Sequence, residues 1–435
     1  MKTTHIAPPK AVKTIYPVFR QILMLIAPNL VHETEREHPC RARTFSPWSH
    51  LVALLFHQLA HTLSLNGVCD QAATYAAKWQ TLRGATAPCR NTFSNANRHR
   101  DPAFAEALYW KLVAYFSAES PAFLRKTQKG YLGRFRNRRI RLLDSSTICL
   151  ALNCIDWARH RAKKAAAKLH VLLDLACRLP TVAIIDAARP HDSVRAPDAA
   201  ASLVAGDILA ADRAYSGYPF LSGLAERGVF YVVRAKSNYQ FRVVKRLAEP
   251  READPALKTT QILSDDLVSP ALKGSAEAYK ADGGVLRRVV ARVKVDKTMR
   301  TLTFLTNHLA WSARTVAEIY RSRWEIEVFF KELKQTCQLR DFLGYSENAV
   351  KWQIWTALIA HLLLRYLEFL HGWKLSHSRL AGVIRGSLWL NRNLGQLLST
   401  FGMAGGRTET KRRPKPAVLQ GFLPWWRGMN GMAGA

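Results

Sequence analysis

The stretch from residue 139 to residue 212 decides the fold of this chain. Four short apolar runs bounded by turn-forming residues lie in it: RIRLLDSS (139–146), KLHVLLDLA (168–176), PTVAIIDAA (180–188) and DILAAD (207–212). Runs of this length between turn residues predict strands. A helical pattern over residues 219–227 and a further apolar run, VFYVVRA (229–235), follow them. Strands that alternate with helices in this way predict a layered α/β core.

The segments that flank this core have other periodicities. Residues 236–307 alternate in the manner of twisted antiparallel strands, which predicts a β-rich insertion. A helical pattern resumes at Ser312 and runs to Leu370. Residues 15–118 carry apolar side chains at helical spacing, so we expect an all-helical N-terminal domain. Within it, residues 66–100 have the length of a helix-turn-helix, but an ordinary helical hairpin is the favoured interpretation.

These patterns divide the chain into five segments. They are a helical N-terminal domain (1–124), a basic linker (125–139), a core in two parts (140–235 and 308–372), the β-rich insertion (236–307) and a basic C-terminal region (373–435). The last segment contains GGRTETKRRPKP (405–416), a composition that predicts a flexible tail, with Trp425 and Trp426 as its anchors.

Composition limits the classes of protein to consider. Of the 435 residues, 48% are hydrophobic and 22% are charged, which is the range of a globular protein and excludes wholesale disorder. The 64 Lys and Arg residues exceed the 32 Asp and Glu residues, which gives a net charge of +32. Because such a charge repels itself in a compact fold, it favours a polyanionic partner, and nucleic acid is the first candidate.

The basic linker concentrates part of this charge. Eight Lys or Arg residues and no acid lie between Arg125 and Arg141, interleaved with Tyr131 and Phe135. Cations that alternate with aromatic rings suit contacts to phosphates and bases, although a solvated charge run is an equally simple interpretation. On the first interpretation, the DNA-binding candidates in the linker are Arg134, Arg136, Arg138 and Arg139.

Cysteines and apolar segments indicate the compartment. The seven cysteines are odd in number and scattered, so they predict neither a disulfide framework nor a zinc knuckle. Residues 1–19 lack the apolar core of a signal peptide. The most apolar segment, Ile354–Leu370, carries His361 and Arg365 and is shorter than the ~20 residues that cross a bilayer. We therefore expect a soluble, cytoplasmic protein.

Three acidic residues stand out by their positions. Asp144 and Asp212 each close an apolar run, where a single aspartate usually caps a helix or forms a turn. The third, Glu327, lies in TVAEIYRSRWEIEVFFKELKQ (315–335), which predicts a helix. At about 100° per residue, Glu325 and Glu332 point away from the face shared by Tyr320, Arg323, Glu327 and Lys334.

Three acids at one edge of a sheet are an arrangement that binds two Mg²⁺ ions, about 4 Å apart, across a scissile phosphate. Neighbouring cations, here Arg323, Lys334 and the linker arginines, would hold the polyanion against this negative centre. A simpler account of the helix alone is an ion pair from Arg323 to Glu327, which are four residues apart. A strongly basic protein with an acidic cluster fits a nuclease-like task.

These residues resemble a known family, the DDE transposases of the insertion-sequence-four type. The resemblance covers about Ile140–Leu370, with a looser likeness in NTFSNANRHRD (91–101). The spacing of Tyr320, Arg323, Glu327 and Lys334 is the family's YREK signature. The other matching motifs are LLDSSTICLAL (142–152), DWARHRAKKAAAKLHVLLDL (156–175), ILAADRAYSGY (208–218) and RDFLGYSENAVKWQIW (340–355).

The resemblance implies a ribonuclease H-like fold, in which a mixed sheet has helices on both faces and a β insertion precedes the glutamate. It implies that Asp144, Asp212 and Glu327 are the catalytic, metal-binding triad, with two Mg²⁺ ions as cofactors and Mn²⁺ as a substitute. Its other implications are an N-terminal domain that binds DNA ends, a homodimer on double-stranded DNA in the bacterial cytoplasm, and DNA contacts from Tyr320, Arg323 and Lys334.

The sequence departs from the family at two places. Ala214 stands where relatives usually have glycine, so it would strain a turn that needs positive φ. Between Tyr231 and Leu309 there is no tryptophan, the residue onto which some family members flip a base. Tyr239 and Tyr279 are candidate substitutes, but ordinary strand packing is the simpler interpretation.

Three functions fit these observations. The first is a cut-and-paste transposase, which cleaves the ends of a mobile element and joins them to target DNA. The second is a related endonuclease or resolvase, which cleaves DNA without joining it. The third, a non-catalytic DNA-binding derivative, is the weakest because all three acids are present. Short terminal inverted repeats and a flanking target duplication around the coding region would favour transposition.

Overall fold

A computed structural model of the chain describes residues 14–124, 135, 138–151, 154–161, 164–189, 191–248, 260–295, 298–339 and 341–402. The chain forms two compact units, the first from Met1–Phe123 with Glu332–Ala435 and the second from Leu124–Lys331. The sequence predictions for Arg134, Arg136 and the tail with its two tryptophans lie outside the described residues.

Helices build the N-terminal part of the first unit, as the sequence predicts. They are α1 (Val18–Leu23), α2 (Pro28–Glu37), α3 (Pro47–Ala60), α4 (Leu65–Thr74), α5 (Ala76–Gln80), α6 (Arg90–His99), α7 (Ala103–Glu119) and α8 (Pro121–Leu124). Ser46 caps the start of α3, because its hydroxyl accepts a hydrogen bond from the N–H of Ser49 at 3.1 Å. Residues 81–89 separate α5 from α6, a connection longer than the three- or four-residue turn of a helix-turn-helix.

One mixed sheet forms the frame of the second unit. Its strands are β1 (Ile140–Leu150), β2 (Arg159–Arg161), β3 (Lys164–Asp174), β4 (Pro180–Ala187), β5 (Ile208–Ala211), β6 (Phe230–Arg234), β7 (Phe241–Ala248), β8 (Gln261–Pro270), β9 (Leu286–Val295) and β10 (Thr298–Thr306). Among the described residues the order is β2-β3-β1-β5-β6-β10-β9-β8-β7, with β4 paired to β3. Only β1–β5 and β5–β6 are parallel pairs in this part of the chain.

The five strands predicted from apolar runs are present as β1, β3, β4, β5 and β6. The short strand β2 was not predicted, because its three residues, Arg159–Arg161, form no apolar run. It pairs with the start of β3 through an irregular register. Pairing of this kind is decided by the neighbouring strand rather than by the local pattern.

The β-rich insertion continues the core sheet, because β10 pairs with β6 and the other three strands follow outward. A buried arginine, Arg287, connects the insertion to the residues that follow it. Nε and Nη2 of Arg287 bind the Asp265 carboxylate at 2.7 and 2.6 Å, and Nη1 donates to the carbonyls of His308, Leu309 and Trp311. These bonds tie the insertion to the turn from which the next helix starts.

Helices cover both faces of the sheet, as expected. They are α9 (Ile155–Ala158), α10 (Asp192–Ala199), α11 (Tyr218–Glu226), α12 (Lys273–Ala278), α13 (Ala313–Ser322) and α14 (Trp324–Thr336). Leu221 of α11 packs with Val233 and Leu305 in one core cluster. The preceding strand residue, Phe304, instead contacts Tyr320 of α13, with 4.7 Å between ring centroids. Since successive strand residues point to opposite faces, α11 and α13 lie on opposite faces of the sheet.

The last helices belong to the first unit. They are α15 (Glu347–Leu370), α16 (His377–Arg385) and α17 (Leu394–Gly402). α15 is buried over most of its length and packs against α3, α6 and α7. The unit boundary at Lys331 therefore differs from the sequence analysis, which kept residues 308–372 in the core. An apolar helix shows from its sequence that it is buried, but not which partner buries it.

Two further sequence predictions concern cysteines and membranes. All seven cysteines lie in the described residues and are free thiols. No single helix in the described part of the chain has the length and apolar composition to cross a membrane, and α3 and α4 meet that test only as a pair bent by 98°.

Candidate active site

Asp144 and Asp212 come together because β1 and β5 are parallel. The last pair in their register is Leu143 opposite Ala211, and each aspartate directly follows it. Asp212 is the residue after β5, as predicted. Asp144, however, lies inside β1, because the antiparallel partner β3 pairs with β1 as far as Leu150. The expectation that Asp144 closes a strand is therefore wrong, although the two aspartates still lie side by side.

Arg323 joins Glu327 of α14 to Asp144. Its Nη1 lies 3.2 Å from Asp144 Oδ2, and its Nη2 lies 2.5 Å from Glu327 Oε1. The arginine side chain is only 14% exposed, so both bonds form largely out of solvent. The ion pair from Arg323 to Glu327 is present, as the simpler account of the helix held. The additional bond to Asp144 arises only from the fold.

Tyr320 holds the second aspartate. Its hydroxyl donates to Asp212 Oδ1 at 3.1 Å, and its ring packs on Phe304 of the insertion. Burial raises the pKa of Tyr320 to about 12, so the hydroxyl keeps its proton and remains a donor. The insertion thus supports the acidic cluster through the ring of Phe304.

The predicted helix over residues 315–335 is divided at Arg323. The hydrogen bonds there tighten to a three-residue spacing: Arg323 N–H donates to the Tyr320 carbonyl at 2.9 Å, and Ile326 N–H donates to the Arg323 carbonyl at 3.1 Å. Arg323 keeps right-handed helical dihedral angles. The direction of the chain is therefore maintained, and Tyr320, Arg323 and Glu327 converge on the same two strands.

The three carboxylates repel one another in a partly buried setting. Burial raises the pKa of Asp144 to about 6, and the charges of Asp212 and Glu327 add to this rise. The backbone N–H of Ser145, 2.8 Å from Oδ1, and the guanidinium of Arg323 oppose it. One guanidinium does not balance three carboxylates, so the donor set fits a hard divalent cation.

A supporting network beside Asp144 was missed in the sequence analysis. Ser145 Oγ donates to Asp192 Oδ1 at 2.7 Å, and Lys168 Nζ lies 3.0 Å from the same oxygen. Asp192 begins α10, where an acidic residue is a common stabilising feature of any helix and so gives no functional signal. In the fold it anchors Ser145, whose N–H binds Asp144.

The structure also describes Glu325, Glu332 and Lys334, the other charged residues singled out in this helix. Glu325 forms an ion pair with Arg178 at 2.8 Å, and Glu332 forms one with Arg365 at 2.6 Å. Both glutamates therefore point away from the triad, as the helical spacing predicts. Lys334 lies half-buried in the last turn of α14, and its contact with DNA stays a prediction.

Two of the four linker arginines are described. The guanidinium of Arg138 lies 5.1 Å from the ring centroid of Phe230. Arg139 donates to the Asp207 carboxylate through Nε and Nη2, at 2.7 and 3.1 Å. Both arginines are exposed, so these internal contacts leave them accessible to solvent. Their contact with DNA stays a prediction.

The structure describes the residues involved in both departures from the family. Ala214 lies in a short 3₁₀ helix and is not among the described non-glycine residues with positive φ, so the condition for strain is not met. Tyr279 is fully buried, with its hydroxyl 2.9 Å from that of Tyr231. Tyr239 stacks on Tyr218 with ring centroids 4.9 Å apart. Both tyrosines are thus packing residues, as the simpler interpretation held.

The sheet order, the helices on both faces and the acidic edge together define a ribonuclease H-like protein. A family model described as "Transposase DDE domain" matches residues 136–363. The chain is 33% identical over 227 residues to a putative transposase, y4zB, of Sinorhizobium fredii. The matched region covers 52% of this chain and 60% of that relative. It is 29% identical over 228 residues to a probable transposase for insertion sequence element IS5377 of Geobacillus stearothermophilus. This match covers 52% of this chain and 56% of that relative.

The chain also matches a putative transposase for insertion sequence element IS4SA of Synechocystis, over a longer region but with lower identity, 23% over 309 residues. This match covers 69% of this chain and 78% of that relative. The first two matches span less than two thirds of the length of those relatives. The chain belongs to the DDE transposase family, in its insertion-sequence-four branch.

Asp144→Asn is expected to stabilise the protein at neutral pH when divalent cations are absent. The pKa of this carboxyl rises from 3.8 to about 6 on folding, so the folded state binds the proton more tightly than the unfolded state. The contribution of this carboxyl to the free energy of unfolding therefore falls as pH rises from about 4 to about 6 and is level above that. Asparagine removes this loss, which should amount to roughly 1–3 kcal/mol at pH 7.5.

Urea unfolding in EDTA between pH 4 and pH 8 measures this difference. Asp192→Asn is the matched control, because hydrogen bonds from Ser145 and Lys168 outweigh burial and lower the pKa of Asp192. This control should be less stable than the native protein by an amount that does not change between about pH 4 and pH 8, because the lowered pKa of Asp192 places its titration below that range. A stability difference between Asp144→Asn and the native protein that does not change with pH contradicts the prediction.

Proposed function

We propose that this protein is a DNA transposase that binds the terminal inverted repeats of its own insertion sequence, cleaves the DNA at those ends and joins them to target DNA. The observation that carries the proposal is the convergence of Asp144, Asp212 and Glu327 at one edge of the sheet, bridged by Arg323 and bound by Tyr320. Two of the relatives are named as a probable and a putative transposase of insertion sequence elements, which agrees with the proposal.

Asp144, Asp212 and Glu327 would hold two Mg²⁺ ions, for which Mn²⁺ can substitute. Carboxylate oxygen is the ligand that these hard cations prefer. The raised pKa of Asp144 supports this assignment, because it indicates a cluster that gains from further positive charge. When bound, the ions would supply activation of the attacking water or 3′-hydroxyl and stabilisation of the leaving oxygen.

The protein's own residues order the acids in advance. Arg323 holds one oxygen each of Asp144 and Glu327, and the Tyr320 hydroxyl holds one oxygen of Asp212. Such preorganisation reduces the rearrangement that binding and catalysis require. Bound cations would balance the carboxylates, and the guanidinium of Arg323, which holds Asp144 and Glu327 in their absence, would then be free to bind a DNA phosphate. This sequence of events accommodates both the ion pairs of Arg323 and its proposed role in DNA binding.

Charge supports DNA as the partner. A net charge of +32 favours a polyanion, and the linker arginines and Lys334 are the proposed phosphate contacts. We assign recognition of the DNA ends to the N-terminal helices. Bringing two ends together for transfer calls for two copies of the protein, which we propose act as a homodimer. We propose the bacterial cytoplasm as its location, because the proposed DNA substrate lies there.

A related endonuclease or resolvase is the second candidate, because the same acidic cluster would serve cleavage without joining. The two candidates separate when the protein receives DNA ends that are already cleaved and carry free 3′-hydroxyls. Joined products support the transposase, whereas cleavage of intact ends without any joined product supports the endonuclease. A non-catalytic derivative predicts neither product, and the intact triad argues against it.

Asp144→Ala, Asp212→Ala and Glu327→Ala should each reduce DNA cleavage by at least about 100-fold while DNA binding persists, because each removes a proposed cation ligand. Glu325→Ala is the matched control, since Glu325 lies on the same helix and pairs with Arg178. Cleavage of a labelled terminal-repeat duplex in Mg²⁺ measures the effect. Equal loss in Glu325→Ala and Glu327→Ala, or full activity in EDTA, would overturn the assignment.

Arg323→Ala and Lys334→Ala should differ in their effects. Arg323→Ala removes the cation between two carboxylates, so we expect a lower melting temperature in EDTA, partial recovery in Mg²⁺ and weaker binding to the terminal repeat. Lys334→Ala should weaken binding with little change in melting temperature. Both properties are measured on both variants side by side, first in EDTA and then in Mg²⁺. Normal affinity with a lowered melting temperature in both variants would assign both residues to structure alone.

DNA binding should weaken steeply with salt, because phosphate contacts release counterions. Replacing Arg134, Arg136 and Arg138 by Gln should flatten the slope of log affinity against log salt by about 2.7, if each contacts one phosphate of duplex DNA. Fluorescence anisotropy with a labelled duplex between 50 and about 300 mM NaCl measures the slope. An unchanged slope would identify the linker as a solvated charge run.

A further inference from the structure

A second group of potential metal ligands lies among the helices of the first unit. Glu332 near the end of α14, His361 in α15 and His377 in α16 each place a ligand atom within 4.8 Å of the other two. The two histidines are almost completely buried, at 1% and 4% exposed. None of the three residues belongs to the acidic cluster of the second unit.

The surroundings of His377 point to a ligand. Its Nδ1 lies 2.9 Å from Glu368 Oε1, a bond in which the ring nitrogen donates and the carboxylate accepts. In the neutral ring, the other nitrogen, Nε2, is an acceptor. It is fully buried, and no protein group in the described residues forms a hydrogen bond with it. A histidine that donates one nitrogen to a carboxylate and presents the other to a cation is the usual arrangement in metal sites.

The charges around the two imidazoles also favour a cation. Arg365 donates to Glu332 Oε2 at 2.6 Å and to Glu368 Oε2 at 2.9 Å. These bonds account for one oxygen of each glutamate, and the other Glu368 oxygen binds His377. One guanidinium against two carboxylates leaves this group with a formal charge of −1 when the imidazoles are neutral. The ion pairs therefore explain the carboxylates but give no role to the buried Nε2 of His377.

We infer that Glu332, His361 and His377 bind one divalent cation of the Zn²⁺ class, which joins α14, α15 and α16. Two imidazole nitrogens and one carboxylate oxygen suit Zn²⁺, Co²⁺ or Ni²⁺, whereas Mg²⁺ prefers oxygen ligands alone. Ligand atoms around tetrahedral Zn²⁺ lie about 3.4 Å apart at Zn–N distances of about 2.1 Å. Inward movement of each side chain by roughly 1 Å would close the present spacing to that value.

The test uses the full-length protein, freed of metal by EDTA and then titrated with Co²⁺ as a spectroscopic probe, with excess Mg²⁺ to occupy the acidic cluster. We expect one equivalent of Co²⁺ per chain with the visible absorption of a four- or five-coordinate ion, and a raised melting temperature. Asp144→Asn should bind Co²⁺ in the same way. Because Asp144 belongs to the acidic cluster, this control distinguishes Co²⁺ bound at the histidines from a cation bound at the proposed catalytic site.

Variants then locate the site. His361→Ala and His377→Ala should each weaken Co²⁺ binding by about 100-fold and remove the shift in melting temperature, while Glu368→Gln should weaken binding by about 10-fold. His50→Ala is the matched control, because His50 is also buried in the first unit but is bonded to Asn97 at 2.8 Å. Circular dichroism verifies folding, and Glu332→Gln replaces any histidine variant that does not fold.

Two results would overturn the inference. The first is the absence of stoichiometric Co²⁺ absorption in the native protein, which would mean that the buried nitrogen of His377 is bonded to water. The second is unchanged Co²⁺ binding in His361→Ala, His377→Ala and Glu332→Gln, which would place the bound ion elsewhere in the protein.

Discussion

The parallel pairing of β1 with β5 is the constraint on which the acidic site depends. Because Leu143 lies opposite Ala211, the aspartates that follow them become neighbours although they are distant in the sequence. A slip of one residue in this register would turn one aspartate to the other face of the sheet. The apolar side chains of β1 and β5 are buried, and their burial is what holds the register in place.

This register imposes an electrostatic cost, which the protein offsets with a cation and a hydroxyl. Burial and the two neighbouring charges raise the pKa of Asp144 to about 6. Arg323 and Tyr320, both from the α13–α14 segment, each bind aspartate oxygens at the edge of the sheet. Phe304 packs on Tyr320, so the insertion contributes to the site by supporting a side chain rather than by supplying an acid.

Both compact units use an arginine to bridge two carboxylates, but with different surroundings. Arg323 joins Asp144 to Glu327, and their neighbours are further oxygen ligands. Arg365 joins Glu332 to Glu368, and this group adjoins the imidazole of His377. The side chains of the two groups differ in chemistry: carboxylate oxygens suit hard cations, whereas imidazole nitrogens beside a carboxylate suit borderline cations.

The sequence by itself determined the class of fold and the strands β1, β3, β4, β5 and β6, and it singled out the three acids that the structure brings together. These features are local, since apolar runs and residue spacing are visible in one dimension. Only the tertiary structure decided that Asp144 lies within a strand, that Arg323 divides the helix and bridges two acids, and that α15 joins the N-terminal helices. It also revealed Asp192 and the cluster of His361 and His377. Pairing partners, burial and the distances between charges depend on contacts between remote segments, which no local pattern encodes.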